Sequence, residues 1–219
     1  MSDGSLWTPI LVPSRGSIGA FIEFWEALYR YPLESIYAEN IGKSLTPERI
    51  DALYTWKNGG KIAAKKAASI RAYYHDAPGR LDAIGDSATV EALWQAIGGG
   101  GVVWGIFMLH IWRPARFPIF DQHVYRAMHA MKQTGYKELD SLRESAKIAR
   151  YRDEYLPFWA ELASEGDARA VDKALWAFGK AIKSPSGSDL NWSALITDSL
   201  TSAGCHAQPA GSCPDDRDV

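Results

Sequence analysis

Trp94–Arg126, WQAIGGGGVVWGIFMLHIWRPARFPIFDQHVYR, is the most informative stretch of this 219-residue chain. It reads as the end of one helix, four glycines, a second and almost wholly apolar helix, then a loop bounded by Arg113-Pro114 and Phe117-Pro118. The loop delivers Asp121 to the start of a third helix. Four successive glycines are costly, because glycine loses more backbone freedom on folding than any other residue. Such a run fits a place where the backbone turns tightly or must be approached closely. Close helix packing and a phosphate held by backbone amides at a helix start both meet that description.

Outward from this centre the pattern is helical. Ser17–Tyr31 carries Ile18, Phe21, Ile22, Trp25, Leu28 and Tyr29 at three- and four-residue steps. A short turn is expected at Leu33–Ile41. Thr46-Pro47-Glu48 opens the next helix, and Asn58-Gly59-Gly60 closes it. Lys61–His75 is expected as an Ala- and Lys-rich helix, interrupted by Pro78-Gly79, with Ser87–Ile97 leading into the glycines. Beyond Asp121, helices are expected at Gln122–Gln133, at Leu142–Tyr155 with a kink or restart at Pro157, and at Ala168–Ile182. In the last, Val171, Ala174, Leu175, Phe178 and Ile182 would face inward. No segment alternates as a strand does. The expected fold is all-α: an extended segment 1–16, a helical domain 17–183, and a disordered tail 184–219 with one weak helical patch at Trp192–Leu200.

Composition narrows the function. Charged residues make up 23% and hydrophobic residues 47%, the balance of a globular protein, while nine Trp and ten Tyr supply unusually large flat surfaces. The N-terminal residues lack the pattern of a signal peptide, and Cys205 and Cys213 cannot by themselves complete a four-ligand metal site. No metal and no cofactor is expected, and a cytoplasmic monomer (nucleoid-associated in a bacterium) is. The net charge of −2 conceals a division. In 185–219 five aspartates oppose Arg217, a net of −4 that leaves +2 for the rest. Within 57–80, Lys57, Lys61, Lys65, Lys66, Arg71 and Arg80 oppose Asp76, a net of +5. A local basic patch is what phosphate binding requires, although a solvated helix face has the same composition.

The order helix, glycine hairpin, apolar helix, Pro-containing loop, aspartate at a helix start resembles the helix-hairpin-helix DNA glycosylase superfamily, which includes endonuclease III and 8-oxoguanine DNA glycosylase. Ile97-Gly98-Gly99-Gly100-Gly101 stands where that family has its hairpin, without the usual proline. Phe117-Pro118-Ile119-Phe120-Asp121-Gln122-His123-Val124-Tyr125-Arg126 is similar to its Asp-x-His-Val-x-Arg segment. The resemblance implies double-stranded DNA as partner and Asp121 as the essential carboxylate. Backbone amides of Gly99 and Gly101 would hold a phosphate, with Lys61, Lys65 and Lys66 beside them. The turn with Lys57 and Asn58 would fill the gap left by an extruded base. Trp176 and Phe178 would line the base pocket.

Each role has a plainer alternative. Asp121 is also a helix cap, Asn58 an ordinary Asn-Gly helix end, and Trp176 and Phe178 a core stripe. His110, inside the apolar helix, reads as a hydrogen-bonded core histidine. His123 and Arg126 read as structural.

Bifunctional members carry a lysine about eighteen residues before the aspartate. Val103 stands there, and no lysine lies between Glu91 and Lys132. The expectation is therefore a monofunctional glycosylase that flips out a damaged or modified base and hydrolyses its N-glycosidic bond without strand cleavage. DNA repair and defence against modified viral DNA demand the same chemistry. A non-catalytic DNA-binding protein of the same fold is the alternative, and a helical interaction scaffold a third.

Overall fold

The computed structural model describes residues 17–164 and 166–183. The expected extended segment 1–16, the expected tail with its patch Trp192–Leu200, and both cysteines lie outside the described residues. Within them the chain is all-α, with no strand: α1 (Ile18–Ala27), α2 (Glu34–Asn40), α3 (Pro47–Lys57), α4 (Ala64–Tyr73), α5 (Ala77–Ile84), α6 (Val90–Ile97), α7 (Val102–Trp112), α8 (Gln122–Met131), α9 (Glu144–Arg150), α10 (Leu156–Ala163) and α11 (Ala168–Ala181). None of these helices is long and apolar enough to cross a membrane.

Local chemistry sets most of the boundaries. Ser17, Thr46, Thr89, Asp121 and Asp167 each accept an amide of the helix they precede. One boundary differs from expectation. Pro78-Gly79 does not interrupt: the break falls at Tyr74–Asp76, and Pro78 sits in the first turn of α5, where its missing N–H is not needed. The interruption next to Pro157 is a π-helical one, after which α10 starts at Leu156 with Pro157 in its first turn. Tyr151–Tyr155 forms a π-helical turn that joins α9 to α10, and Tyr155 and Leu156 keep right-handed helical dihedrals. The widened turn lets the chain pass a residue that cannot donate.

Helix α7 is the centre of the core, with every residue from Gly105 to Trp112 buried. Helix α3 packs on it through Tyr54, stacked on Trp104 and edge-to-face with Phe107, and through Trp56, stacked on Phe107. His110 is satisfied inside α7: its Nδ1 donates to the Phe117 carbonyl (2.7 Å), and its Nε2 accepts from the Tyr37 hydroxyl (2.8 Å). Burial pushes its pKa down to about 3, so the ring is neutral.

Two glycines let helices approach more closely than a side chain would permit. A Cβ on Gly105 would stand 2.0 Å from the Trp94 ring, so α6 closes onto α7, and the two axes bend by 105° across the glycines. A Cβ on Gly179 would stand 1.9 Å from the His123 carbonyl oxygen, so the start of α8 rests directly on α11. That contact brings the Asp121 loop against the residues α11 presents.

A candidate active site in an aromatic pocket

Asp121 caps α8. Its Oδ1 accepts the amides of His123 (2.8 Å) and Val124 (3.2 Å), which leaves Oδ2 for Lys57 Nζ at 3.1 Å. The carboxylate side chain is 18% exposed and the lysine 10%. Burial alone would raise the pKa of Asp121. The charge of Lys57, that of His123 and the accepted hydrogen bonds outweigh it and hold the carboxyl below its ordinary value. Asp121 is therefore an ionised carboxylate fixed in direction by two backbone donors and one cation.

Around it lies a pocket with about 350 Å³ of empty space, its open mouth included. Tyr29, Tyr31, Trp56 and Trp176 wall it. Trp176 stands edge-on to both tyrosines at 5.3 Å between centroids, and Tyr31 lies 5.1 Å from Trp56. The walls are tied in place. The Tyr31 hydroxyl donates to the carbonyls of Trp56 (2.9 Å) and Lys57 (3.2 Å), while Glu34 accepts from Trp56 Nε1 and the Tyr29 hydroxyl. Arg169 pairs with Glu34 and lies over the Tyr37 ring at 4.2 Å.

A second carboxyl lines the pocket from α11. Asp172 is 4% exposed and accepts from Trp159 Nε1 at 3.2 Å. Desolvation raises its pKa to about 7, against the pull of Arg169 and of its hydrogen bonds. One pocket thus holds two carboxyls whose surroundings drive them apart. Asp121 is ionised and Asp172 titrates near neutrality. Sequence reasoning missed Asp172. A charged residue between Val171 and Ala174 on an inward face was the available signal.

The predicted residues separate into groups. Trp176 lines the pocket with Asp121, whereas Phe178 does not: it packs on Phe21 and Trp25 of α1, so its expected pocket role is corrected to a core contact. Lys57, expected to fill a gap in the duplex, turns its amine inward onto Asp121 instead. Asn58 caps α3. Its amide donates to the Lys61 carbonyl (3.0 Å) and its carbonyl oxygen accepts from Lys66 (3.3 Å). Lys61, Lys65 and Lys66 are exposed, and Lys66 lies 4.6 Å over the Trp104 ring in the first turn of α7. His123 turns its ring edge to Trp176, and Arg126 is buried between Glu138 and the Gly179 carbonyl, so Arg126 is a strut.

All four hairpin glycines have positive φ, from 82° to 149°, a conformation other residues rarely adopt. Two are also sterically required: a Cβ would stand 2.7 Å from the Tyr73 ring at Gly99 and 2.1 Å from the Tyr74 hydroxyl at Gly100. At the expected phosphate site a carboxylate is already seated. Glu144 accepts the Val102 amide at 2.6 Å and pairs with Lys147 at 2.7 Å.

The chain matches no family model, no curated protein and no solved structure. Its function is therefore read from these residues and their geometry.

Proposed function

We propose that this protein is a DNA glycosylase that takes one base out of the duplex into the aromatic pocket and breaks its N-glycosidic bond, leaving an abasic site. The observation that carries the proposal is the pair of carboxyls, Asp121 ionised and Asp172 near neutrality, in a pocket walled by four aromatic rings. Cleavage of an N-glycosidic bond builds positive charge on the sugar and negative charge on the departing base. A fixed carboxylate stabilises the first, and a neutral carboxyl can hydrogen-bond or protonate the second. Flat walls suit a base, since stacking contributes about 1–3 kcal/mol per base in single-strand binding. The glycine hairpin and the exposed Lys61, Lys65 and Lys66 would hold the phosphates. Val103, on the first turn of α7, offers no amine, so the base release proposed here draws on none from that position.

The experiment is mass spectrometry of bases released from a panel of duplexes with damaged or modified bases, using the wild-type chain and Asp121→Asn. The expected result is release of one class of base, reduced at least ~10²–10³-fold in the variant with DNA binding retained. Equal release by both proteins would take Asp121 out of the chemistry, and binding without release from any duplex would leave the non-catalytic DNA-binding reading in its place.

A further inference from the structure

Arg169, Asp172 and Trp176 stand at three- and four-residue steps on one face of α11, and all three line the pocket. Arg169 is tied through one nitrogen. Its Nη2 donates to Glu34 (2.5 Å) and to the Tyr29 hydroxyl (3.3 Å), while Nε and Nη1 donate to no acceptor among the described residues. Glu34 is shared in turn with Trp56 Nε1 and the Tyr29 hydroxyl. The ion pair therefore fixes the guanidinium without using its planar fork of donors. Its side chain is 21% exposed, and enclosed donors left unpaired are costly. A base entering this pocket meets donors in search of oxygen. A ring carbonyl answers them, and an exocyclic amine does not.

The same walls disfavour a cation. Electron-rich ring faces are what draw a cationic ligand, and here the protein's own cations already lie over them. Arg169 is 5.5 Å from the centre of the Tyr29 ring and 5.4 Å from that of Trp56, and Lys180 is 4.6 Å from that of Trp176. Lys57 brings a further positive charge to the side of Asp121. A positively charged, N-alkylated base would meet like charge on three walls.

We infer that Arg169 sets the class of base: the pocket takes a neutral base by its carbonyl oxygens, to which Arg169 donates, in preference to the amino-bearing counterpart and to cationic N-alkylated bases. The inference rests on the glycosylase reading and names the substrate class of that site.

The probes are duplexes with one base on a 2′-fluorinated sugar, which resists glycosidic cleavage because fluorine opposes positive charge there. Each base lies opposite a tetrahydrofuran spacer, so no difference in pairing enters. Hypoxanthine is compared with adenine, uracil with cytosine, and both carbonyl-bearing bases with cationic 1-methyladenine. The full wild-type chain is expected to bind the carbonyl member of at least one pair ~10-fold or more tighter than its amino partner and than the cationic duplex. A wild-type chain that binds the amino or cationic duplexes as tightly overturns the inference, however the variants fold. In Arg169→Gln the ratio is expected to fall to within about twofold, and Arg169→Lys, which keeps the charge beside Glu34 but not the fork, is expected to reduce it as well. If Arg169 only braces Glu34, Arg169→Gln weakens every duplex alike and leaves the ratio intact, which overturns its role in selection. Because these probes require no base release, the outcome is read separately from the glycosylase experiment. Preference for the carbonyl base without release from any cleavable duplex would sink the glycosylase reading and leave base selection by Arg169 standing.

Discussion

Two helix starts in this protein carry the same arrangement and put it to different uses. At α8, Asp121 accepts two amides and a lysine; at α7, Glu144 accepts the Val102 amide and a lysine. Both exploit the positive end of a helix. They differ in provenance and burial. Asp121 caps its own helix with its side chain 18% exposed, whereas Glu144 arrives from α9 with its side chain 55% exposed. The first carboxylate is fixed by its own backbone inside a pocket. The second reaches in from solvent at a glycine turn and is held by one amide and one lysine. The same kind of ion pair is thus enclosed in one place and open in the other.

The sharpest test makes the same chemical change at both. Asp121→Asn is expected to cut base release at least ~10²–10³-fold, whereas Glu144→Gln leaves the rate within about threefold. Equal losses would show that both carboxylates act only through folding.

The next effect is on stability. Gly179→Ala places a methyl group 1.9 Å from the His123 backbone oxygen, at a contact between two helices that cannot give locally. Denaturant titration is expected to show a loss of about 1–3 kcal/mol or more, with base release falling as α8 is displaced from α11. Gly19, where an added Cβ would meet nothing within 4 Å, is the control: Gly19→Ala is expected to be neutral or slightly stabilising.

Asp172 separates the pocket from the hairpin by pH. Well below about pH 4 its carboxyl is protonated in both folded and unfolded chains. As pH rises toward its folded pKa of about 7, only the unfolded chain ionises freely, so native stability is lost across that window. Asp172→Asn keeps an acceptor for Trp159 and is expected to remove this loss, so the variant gains stability over wild type at about pH 8 and little at about pH 4. Thermal melts at the two values check it. A wild-type chain whose stability relative to the variant is the same at both would show that Asp172 is not buried as a neutral acid.

The smallest effects belong to the exposed side of the comparison. Glu144→Ala is expected to tighten duplex binding several-fold at low salt, because the α7 amide loses its internal anion. Lys66→Gln is expected to weaken binding uniformly across sequences and reduce the slope of log K against log salt by about 1. Titration at several salt concentrations reads both, and an unchanged affinity in Glu144→Ala would mean that no phosphate enters the hairpin.

The amino-acid sequence by itself determined the elements whose causes are local. Caps at Ser17, Thr46, Thr89 and Asp167, the glycine hairpin, the apolar α7 and the placement of Asp121 at a helix start all follow from residues within a few positions of one another. Even the misplaced break at Pro78 was a local error, since proline at a first turn and proline between helices look alike in sequence. The tertiary structure alone decided what surrounds Asp121. Tyr29, Tyr31, Lys57, Arg169, Asp172 and Trp176 come from distant parts of the chain, and helical periodicity says only that a face is turned inward, not what it meets. Burial then set the chemistry. It separated Asp172 from Asp121 in charge, gave Phe178 to the core and Trp176 to the pocket, and turned the Lys57 amine of α3 onto Asp121. A sequence spacing excludes a neighbour only along the chain, whereas packing brings neighbours together through space.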